Sequence, residues 1–313
     1  MMLSAITFPH LGLSFDIDRV AFSMFGKPIY WYGILIAGAI VLCAFYACRR
    51  APRFGTTSDD VLDMLLWAVP IAILCARAYY VVFNWHVDGF DKDPIRVFYI
   101  WEGGLAIYGG VIGAAVTVLL VSRRKKMPCG VLLDLGGLGL PLGQAIGRWG
   151  NFINQEAFGG YTDGLLAMRV AESHLPHSLS ESARALLLQK AQEGGYEGFV
   201  QVHPTFFYES CWNLLGFILL HFYSKRRKFD GEVFCLYLAW YGLGRVWIEG
   251  LRTDSLYIGS TGIRVSQLLA AVTSLAAIGV ILYVRLVKKP DTLYVDKKAA
   301  QAAKEEETTH DDP

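Results

Sequence analysis

Near the carboxyl end of the chain, Tyr241, Arg245 and Glu249 recur at i, i+4 and i+8, and Arg252 extends the row at i+11. On a helix these residues share one face, so a phenol, two guanidiniums and a carboxylate point one way. A second cluster lies upstream: Gly147, Arg148, Gly150, Asn151, Asn154 and Glu156. Its glycines let backbone approach a ligand closely, and its asparagines both donate and accept hydrogen bonds. Arginine grips phosphate through paired hydrogen bonds, and does so best in a low-dielectric site. The two clusters therefore read as a site for an anionic, phosphate-bearing lipid. A third segment carries Gly103, Gly104, Tyr108, Gly109, Gly110 and Gly113. Tyr108 is the residue of chemical interest there; the glycines, like Gly139, Gly143 and Gly147, have the spacing of closely packed helices.

These side chains sit in an apolar chain. Its 313 residues are 54% hydrophobic and only 18% charged, with a net charge of +1 and a mean hydropathy of +0.36. Soluble domains carry about 25% charged residues. The composition excludes a secreted disulfide scaffold, a disordered chain and a coiled coil, and near-neutral charge gives no bulk attraction to nucleic acid. Cys43, Cys48, Cys75, Cys211 and Cys235 lie in apolar stretches and Cys129 beside a basic run. No pair has metal-ligand spacing, so all six read as small buried hydrophobes and no metal site is expected. No basic stretch followed by an apolar one opens the chain, so no cleaved signal peptide is expected.

The expected fold class is an all-α polytopic membrane protein of about seven transmembrane helices with a small external head between spans four and five. A span needs about 20 mostly apolar residues. Residues 29–48, 61–83, 105–122, 206–223 and 265–287 qualify. Two weaker stretches are 132–146, short, glycine-rich and open to a re-entrant reading, and 233–248, which ends in charges. Basic residues follow alternate spans: Arg49, Arg50 and Arg53; Arg123 to Lys126; Lys225 to Lys228; Arg285, Lys288 and Lys289. Basic loops face the cytoplasm, which places the N-terminus outside, the C-terminus inside, and requires an odd number of spans.

A long insert separates spans four and five. Its middle, 178–193, reads as an amphipathic helix opened by a capping box of Ser178 and Glu181 and ended by Gly194 and Gly195. The chain thus divides into a membrane domain over 1–290, with the external head at about 160–203, and a charged cytoplasmic tail over 291–313, a frayed helix or disorder. No internal repeat is visible, which disfavours a repeat-built transporter.

Ionisable side chains at membrane depth are costly and usually functional. Besides Arg148, Glu156, Arg245 and Glu249 they include Arg77, Asp134 and Glu209. Arg77 and Glu209 taken singly leave open a structural ion pair or snorkelling at a helix end. Asp134, near a cytoplasmic interface, reads as structural.

The segment Gly147–Arg148–Trp149–Gly150–Asn151–Phe152–Ile153–Asn154–Gln155–Glu156–Ala157–Phe158–Gly159 resembles the signature of bacterial prolipoprotein diacylglyceryl transferases. The resemblance extends through Trp31-Tyr32-Gly33, Arg77, the 101–113 stretch, His203-Pro204-Thr205 with Tyr208-Glu209, and residues 241–254, in the same order from about residue 8 to residue 287. It implies transfer of the diacylglyceryl group of phosphatidylglycerol to the lipobox cysteine thiol of prolipoprotein signal peptides. A thioether forms and glycerol phosphate is released, with no metal or nucleotide cofactor. It also implies residence among the lipids of the bacterial cytoplasmic (inner) membrane. By resemblance, Arg148 binds the lipid phosphate with Arg245 as partner, and Asn151, Asn154, Glu156 and Glu249 position the substrate or the arginines. Tyr32 and Tyr241 line the site, and Arg77 and Arg252 complete the set expected to touch substrate. One position departs: many family members carry His where this chain has Tyr108. An unperturbed phenol, with a pKa near about 10, is a poor base. Tyr108 lowered by nearby arginines, Tyr241 or the lipid phosphate itself remain as proton acceptors.

The main rival from another class is a membrane transporter or channel for an anionic solute, using the same charges as a path. The outer clustering of the arginines and the absence of acidic residues spaced along a path stand against it. The Asp-rich motif of CDP-alcohol transferases and the serine site of an intramembrane protease are both absent.

Overall fold

The computed structural model describes residues 5–176, 179–196, 198–252, 264–290 and 292–310. The chain opens with four short strands, β1 (Ala5–Phe8), β2 (Leu13–Asp16), β3 (Val20–Met24) and β4 (Lys27–Tyr30). Then come α1 (Trp31–Arg50), α2 (Ser58–Phe83), α3 (Ile107–Arg124) and α4 (Cys129–Asn154). An insert of β5 (Met168–Ala171), α5 (Glu181–Glu193) and β6 (Phe199–Val202) follows. The last elements are α6 (Thr205–Tyr223), α7 (Glu232–Leu251), α8 (Val265–Tyr283) and α9 (Tyr294–His310). The molecule is mostly helical, but the all-α expectation is amended by these six strands.

Among the described residues five helices are long and apolar enough to cross a membrane: α1 with the turn that continues it to Phe54, α2, α3, α4, and α8 continued to Lys288. α4 corrects the shortest expectation. It runs unbroken for 26 residues through Pro141, with no re-entrant turn at 132–146, and continues as helix through Asn154. α6 and α7 are 19 and 20 residues long. They are less apolar because α6 holds Glu209, Asn213 and His221, and α7 holds Glu232, Arg245 and Glu249.

Two compact units divide the chain. The first comprises residues 1–43, 137–226 and 235–288. Its sheet has the order β2-β1-β5-β6 and is antiparallel throughout, with Ile6 opposite Phe15 and Met168 opposite Val202. Alternation explains β1, where Ile6 and Phe8 are buried; in β6 Val200, Gln201 and Val202 are all buried. Leu187 and Ala191 of α5 are buried as well. α5 begins at Glu181, capped by Ser180, whose hydroxyl accepts from the Ala183 amide at 3.3 Å. Ser178, the expected cap, lies outside the described residues. Gly194 and Gly195 end the helix, the latter at φ +65°. The sheet core continues into the helices: Phe152 near the end of α4 stacks on Phe206 at the start of α6, centroids 4.7 Å apart. Each such ring contributes about 1.5–3 kcal/mol of burial, fixing two helix ends that carry site residues.

Two further contacts set helix against helix in this unit. Gly139, Gly143 and Gly147 face Cys43 and Ile36 of α1, where an added Cβ would lie 3.7, 3.3 and 3.5 Å from their side chains; the stripe is packing. Between α6 and α7, Trp212 and Trp240 stack at 4.3 Å, and each indole N–H donates to the other's backbone carbonyl at 3.0 Å.

The second unit comprises residues 44–136, 227–234 and 289–313. Thr57 and Asp60 form a capping box that opens α2, worth about 1 kcal/mol, and Lys125 reaches Asp60 and Asp63 at 2.6 and 2.5 Å. α3 packs on α2 through its glycines: a Cβ at Gly113 would come within 2.9 Å of Cys75 Cβ and Ile71 O. Asp134 is fully buried and accepts from the Gly231 and Phe234 amides at 2.9 and 3.0 Å, capping α7. The tail forms α9, whose Tyr294 amide donates to Asp230 at 2.9 Å. The cysteines correct another expectation: all are free, but five are half-buried and Cys211 is exposed on α6. Thiols on an apolar helix surface are compatible with lipid, so none had to reach a core.

Candidate functional site

The site assembles in the first unit around a residue that the sequence left unassigned. Glu209, on the first turns of α6, is 4% exposed. Arg148 of α4 reaches its Oε2 through Nη2 at 2.6 Å. Arg245 of α7 approaches the same oxygen through Nη1 at 3.5 Å, and Arg252 donates to Oε1 at 3.3 Å. Three guanidiniums, always cationic, thus converge on one buried carboxylate. Arg252 corrects the helical-row expectation: α7 stops at Leu251, so Arg252 lies just past the helix. It faces Glu209 because it pairs with Gly159 in an isolated β-bridge.

Each of the two expected phosphate ligands has a second anchor. Arg245 Nη2 holds Glu249 Oε2 at 2.6 Å, one turn on along α7. Arg148 Nη1 donates to Asn151 Oδ1 at 3.3 Å. Asn151 and Asn154 in turn donate to Glu156 Oε1 at 3.0 and 3.3 Å. Glu156 can face back toward the helix because the chain reverses sharply there, with Gln155 and Ala157 both left-handed at φ +54° and +56°. Such backbone costs on the order of 1–3 kcal/mol per residue and concentrates at functional sites. The reversal is tied down by the Glu156 amide, which donates to Asn151 O at 3.0 Å. The Thr205 hydroxyl adds a hydrogen bond to Ala157 O, and the His174 ring lies 2.7 Å from Gln155 Oε1. Gly159 follows in a crowded slot: a Cβ there would lie 2.7 Å from His203 Cβ and 2.8 Å from Leu251 O.

The remaining expected residues fall in two places. Tyr32, on the first turn of α1, packs its ring against Gly150, where no Cβ would fit. Tyr241 lies one turn before Arg245 and stacks on Tyr237, centroids 5.9 Å apart. Arg77 and Tyr108 belong to the second unit. Arg77 is buried and donates to four backbone carbonyls: Val97 at 2.8 Å, Gly103 at 2.8 Å, Gly104 at 3.1 Å and Arg96 at 2.5 Å. Its guanidinium fastens the segment that leads into α3. Tyr108, on the first turn of α3, is 44% exposed and lies 6.3 Å from the Tyr79 ring.

Arginines on a buried carboxylate, asparagines held by a second carboxylate, and a strained reversal between them make a site that can bind an anion and stabilise charge developing on it. Comparisons with known proteins give this arrangement its context. A protein of Lysinibacillus sphaericus named phosphatidylglycerol–prolipoprotein diacylglyceryl transferase is 39% identical over 286 residues, 91% of this chain and 99% of that protein. One of the same name from Enterococcus faecalis is 42% identical over 269 residues, covering 85% of this chain and 90% of its own. A third, from Pediococcus pentosaceus, is 41% identical over 272 residues, 86% and 91% of the two chains. The sequence pattern of the family described as prolipoprotein diacylglyceryl transferase matches residues 19–283, a span that takes in α4, α6 and α7 with Arg148, Glu209, Arg245 and Arg252 alike. The chain belongs to the prolipoprotein diacylglyceryl transferase family.

Proposed function

We propose that the protein transfers the diacylglyceryl group of phosphatidylglycerol to the cysteine thiol of prolipoprotein lipoboxes, the first step of bacterial lipoprotein maturation. It is a multi-pass membrane transferase. The observation that carries the reading is the convergence of Arg148, Arg245 and Arg252 on one buried position, in a chain whose relatives are named for this substrate pair. The lipid phosphate takes the place of Glu209 before the arginines. The thiol sulfur attacks the glyceryl carbon, the carbon–oxygen bond breaks, and the arginines stabilise the charge that develops on the departing phosphate. Asn151, Asn154, Glu156 and Glu249 hold the two phosphate-binding arginines in register, while Tyr32 and Tyr241 line the site. Tyr108 is the candidate acceptor of the thiol proton, and Arg77 shapes the segment before it. The transporter reading is not favoured, because the membrane charges of the first unit gather at one point instead of marking a path.

The same reading places seven spans in the bacterial inner membrane: the five strongly apolar helices together with α6 and α7. The N-terminus is outside and the C-terminus inside. Residues 1–290 form the transferase body, 160–203 the external head, to which β1 and β2 add strands, and 291–313 the cytoplasmic tail. The decisive experiment incubates the purified protein with phosphatidylglycerol vesicles and a lipobox peptide and follows the peptide by mass spectrometry. A diacylglyceryl adduct on the cysteine is expected. No adduct where a family member of known activity produces one would overturn the reading.

A further inference from the structure

The proposed reaction leaves the carboxylate at the centre of the site unexplained. A buried carboxylate is costly even when paired, and an arginine cluster built only to attract phosphate would attract it more strongly without one. The charge carried by the phosphorus group through the reaction supplies a reason. Phosphatidylglycerol is a phosphodiester with one negative charge. As sulfur bonds to the glyceryl carbon, the bond from that carbon to the phosphate oxygen breaks and its electron pair leaves on oxygen. The thiol proton passes, by way of Tyr108 as the reading above has it, to the leaving phosphate or to water. The product is a phosphomonoester whose second ionisation lies near about pH 6, so near neutrality it carries about −1.5 to −2. The site therefore releases a more anionic group than it binds. Three unopposed arginines would hold product more tightly than substrate.

We propose that Glu209 is a resident counter-anion: it yields the arginines to the lipid phosphate and re-pairs with them to expel glycerol phosphate. The geometry suits exchange. Arg245 and Arg148 each keep an anchor independent of Glu209, Glu249 at 2.6 Å and Asn151 at 3.3 Å, so each guanidinium stays aimed while the carboxylate is displaced. Arg252 is held through its backbone at Gly159. The contact of Arg245 with Glu209, at 3.5 Å, is already loose. Glu209 is then a positioning residue, acting on the arginines and not on the reacting atoms. This role rests on the transferase reading above.

The test compares wild type, Glu209→Gln and Glu209→Asp in phosphatidylglycerol nanodiscs, with a lipobox peptide as acceptor and glycerol 1-phosphate as inhibitor. The Gln variant is expected to bind glycerol 1-phosphate at least about tenfold more tightly, the direction set by losing an opposing charge. It should show a lower kcat, with a burst of about one lipidated peptide per enzyme before slow steady turnover. The Asp variant retains the charge but sets it back by one methylene, and should shift the inhibition constant the same way by less. It carries the test if the Gln variant does not fold. A purely structural role lowers the folded fraction without tightening product binding. Unchanged or weaker glycerol phosphate binding in a folded variant, beside normal wild-type transfer, would overturn the role of Glu209 alone. No transfer by the wild type would overturn the function beneath it.

Discussion

Arg148 is committed through two nitrogens to two different partners, Glu209 at 2.6 Å and Asn151 at 3.3 Å. Lysine presents one compact charge and cannot make both contacts. Arg148→Lys should therefore lower transfer by about two orders of magnitude, the cost of losing a preorganised donor, while Arg148→Ala abolishes it and weakens phosphatidylglycerol binding. Peptide lipidation and lipid binding to the purified variants check this; wild-type activity in the Ala variant would remove Arg148 from the site. At the half-exposed Tyr108 the expectation is narrower. Tyr108→Phe should slow turnover and leave lipid binding intact, and unchanged turnover would exclude the phenol from the mechanism. Arg148, Arg245 and Arg252 stood out as candidates because each sits in a dense local pattern, 147–156 or 241–252. Glu209 was visible only as one carboxylate in an apolar stretch. All three of its partners lie on other segments, α4, α7 and the bridge after it, and no spacing rule reaches that far.

Elements were legible where periodicity is strong, so the apolar helices emerged close to their true bounds. The glycine stripes of α3 and α4 were rightly read as packing. The strands at 5–30 were not seen, because strands of four or five residues give little alternation to count and β1 pairs with β5, about half the chain length away. The Trp212–Trp240 pair was missed for a similar reason: the two residues lie on different helices, and only their reciprocal hydrogen bonds mark them. Unsatisfied indole N–H groups are costly away from water. Trp212→Phe should thus lower the melting temperature in detergent and, by loosening α6 against α7, reduce transfer as Glu209 and Arg245 drift apart. A variant with wild-type stability and activity would show the pair to be idle. The head carries a pH expectation. Burial, and then the Arg19 charge, hold the His174 imidazole below its usual range, and burial does the same to His203. Both groups bind fewer protons folded than unfolded, so they favour the fold above the ordinary imidazole pKa of about 6.5 and oppose it as pH falls below that value. The protection of the β5 and β6 amides, measured against the slower intrinsic exchange at lower pH, should therefore fall between about pH 7 and pH 5.5. Protection that rises on acidification would contradict the sign.

For the molecule as a whole, the number of crossings turns on α6 and α7, and one connection decides it. If only the five strongly apolar helices cross, the 224–231 connection stays on the side of the head. If α6 and α7 also cross, it lies on the opposite side. The positive-inside rule favours the second arrangement, since Lys225, Arg226, Arg227 and Lys228 crowd this connection. Contacts within the second unit favour it independently. Arg227 donates to Arg53 O at 2.9 Å, the Tyr294 amide donates to Asp230 at 2.9 Å, Lys298 reaches Gly55 O at 3.3 Å, and a Cβ at Gly130 would meet the Gly231 amide at 2.8 Å. The turn after α1, the first turns of α4, the turn before α7 and the start of the tail thus touch one another, and segments in such contact lie on the same face of a bilayer. A fluorescent-protein fusion at the C-terminus should glow, a periplasm-dependent phosphatase inserted at Gly194–Gly195 should be active, and the same phosphatase inserted at Lys228 should be silent. Activity at Lys228 would leave α6 and α7 on the outer side, and with them a site for phosphate that lies outside the membrane. In the seven-span arrangement Glu209, about one turn into α6, and Arg245, about two turns from the end of α7, meet just inside the outer face. That arrangement puts the site on the side from which the proposed substrates, a lipid headgroup and a prolipoprotein cysteine, have to reach it.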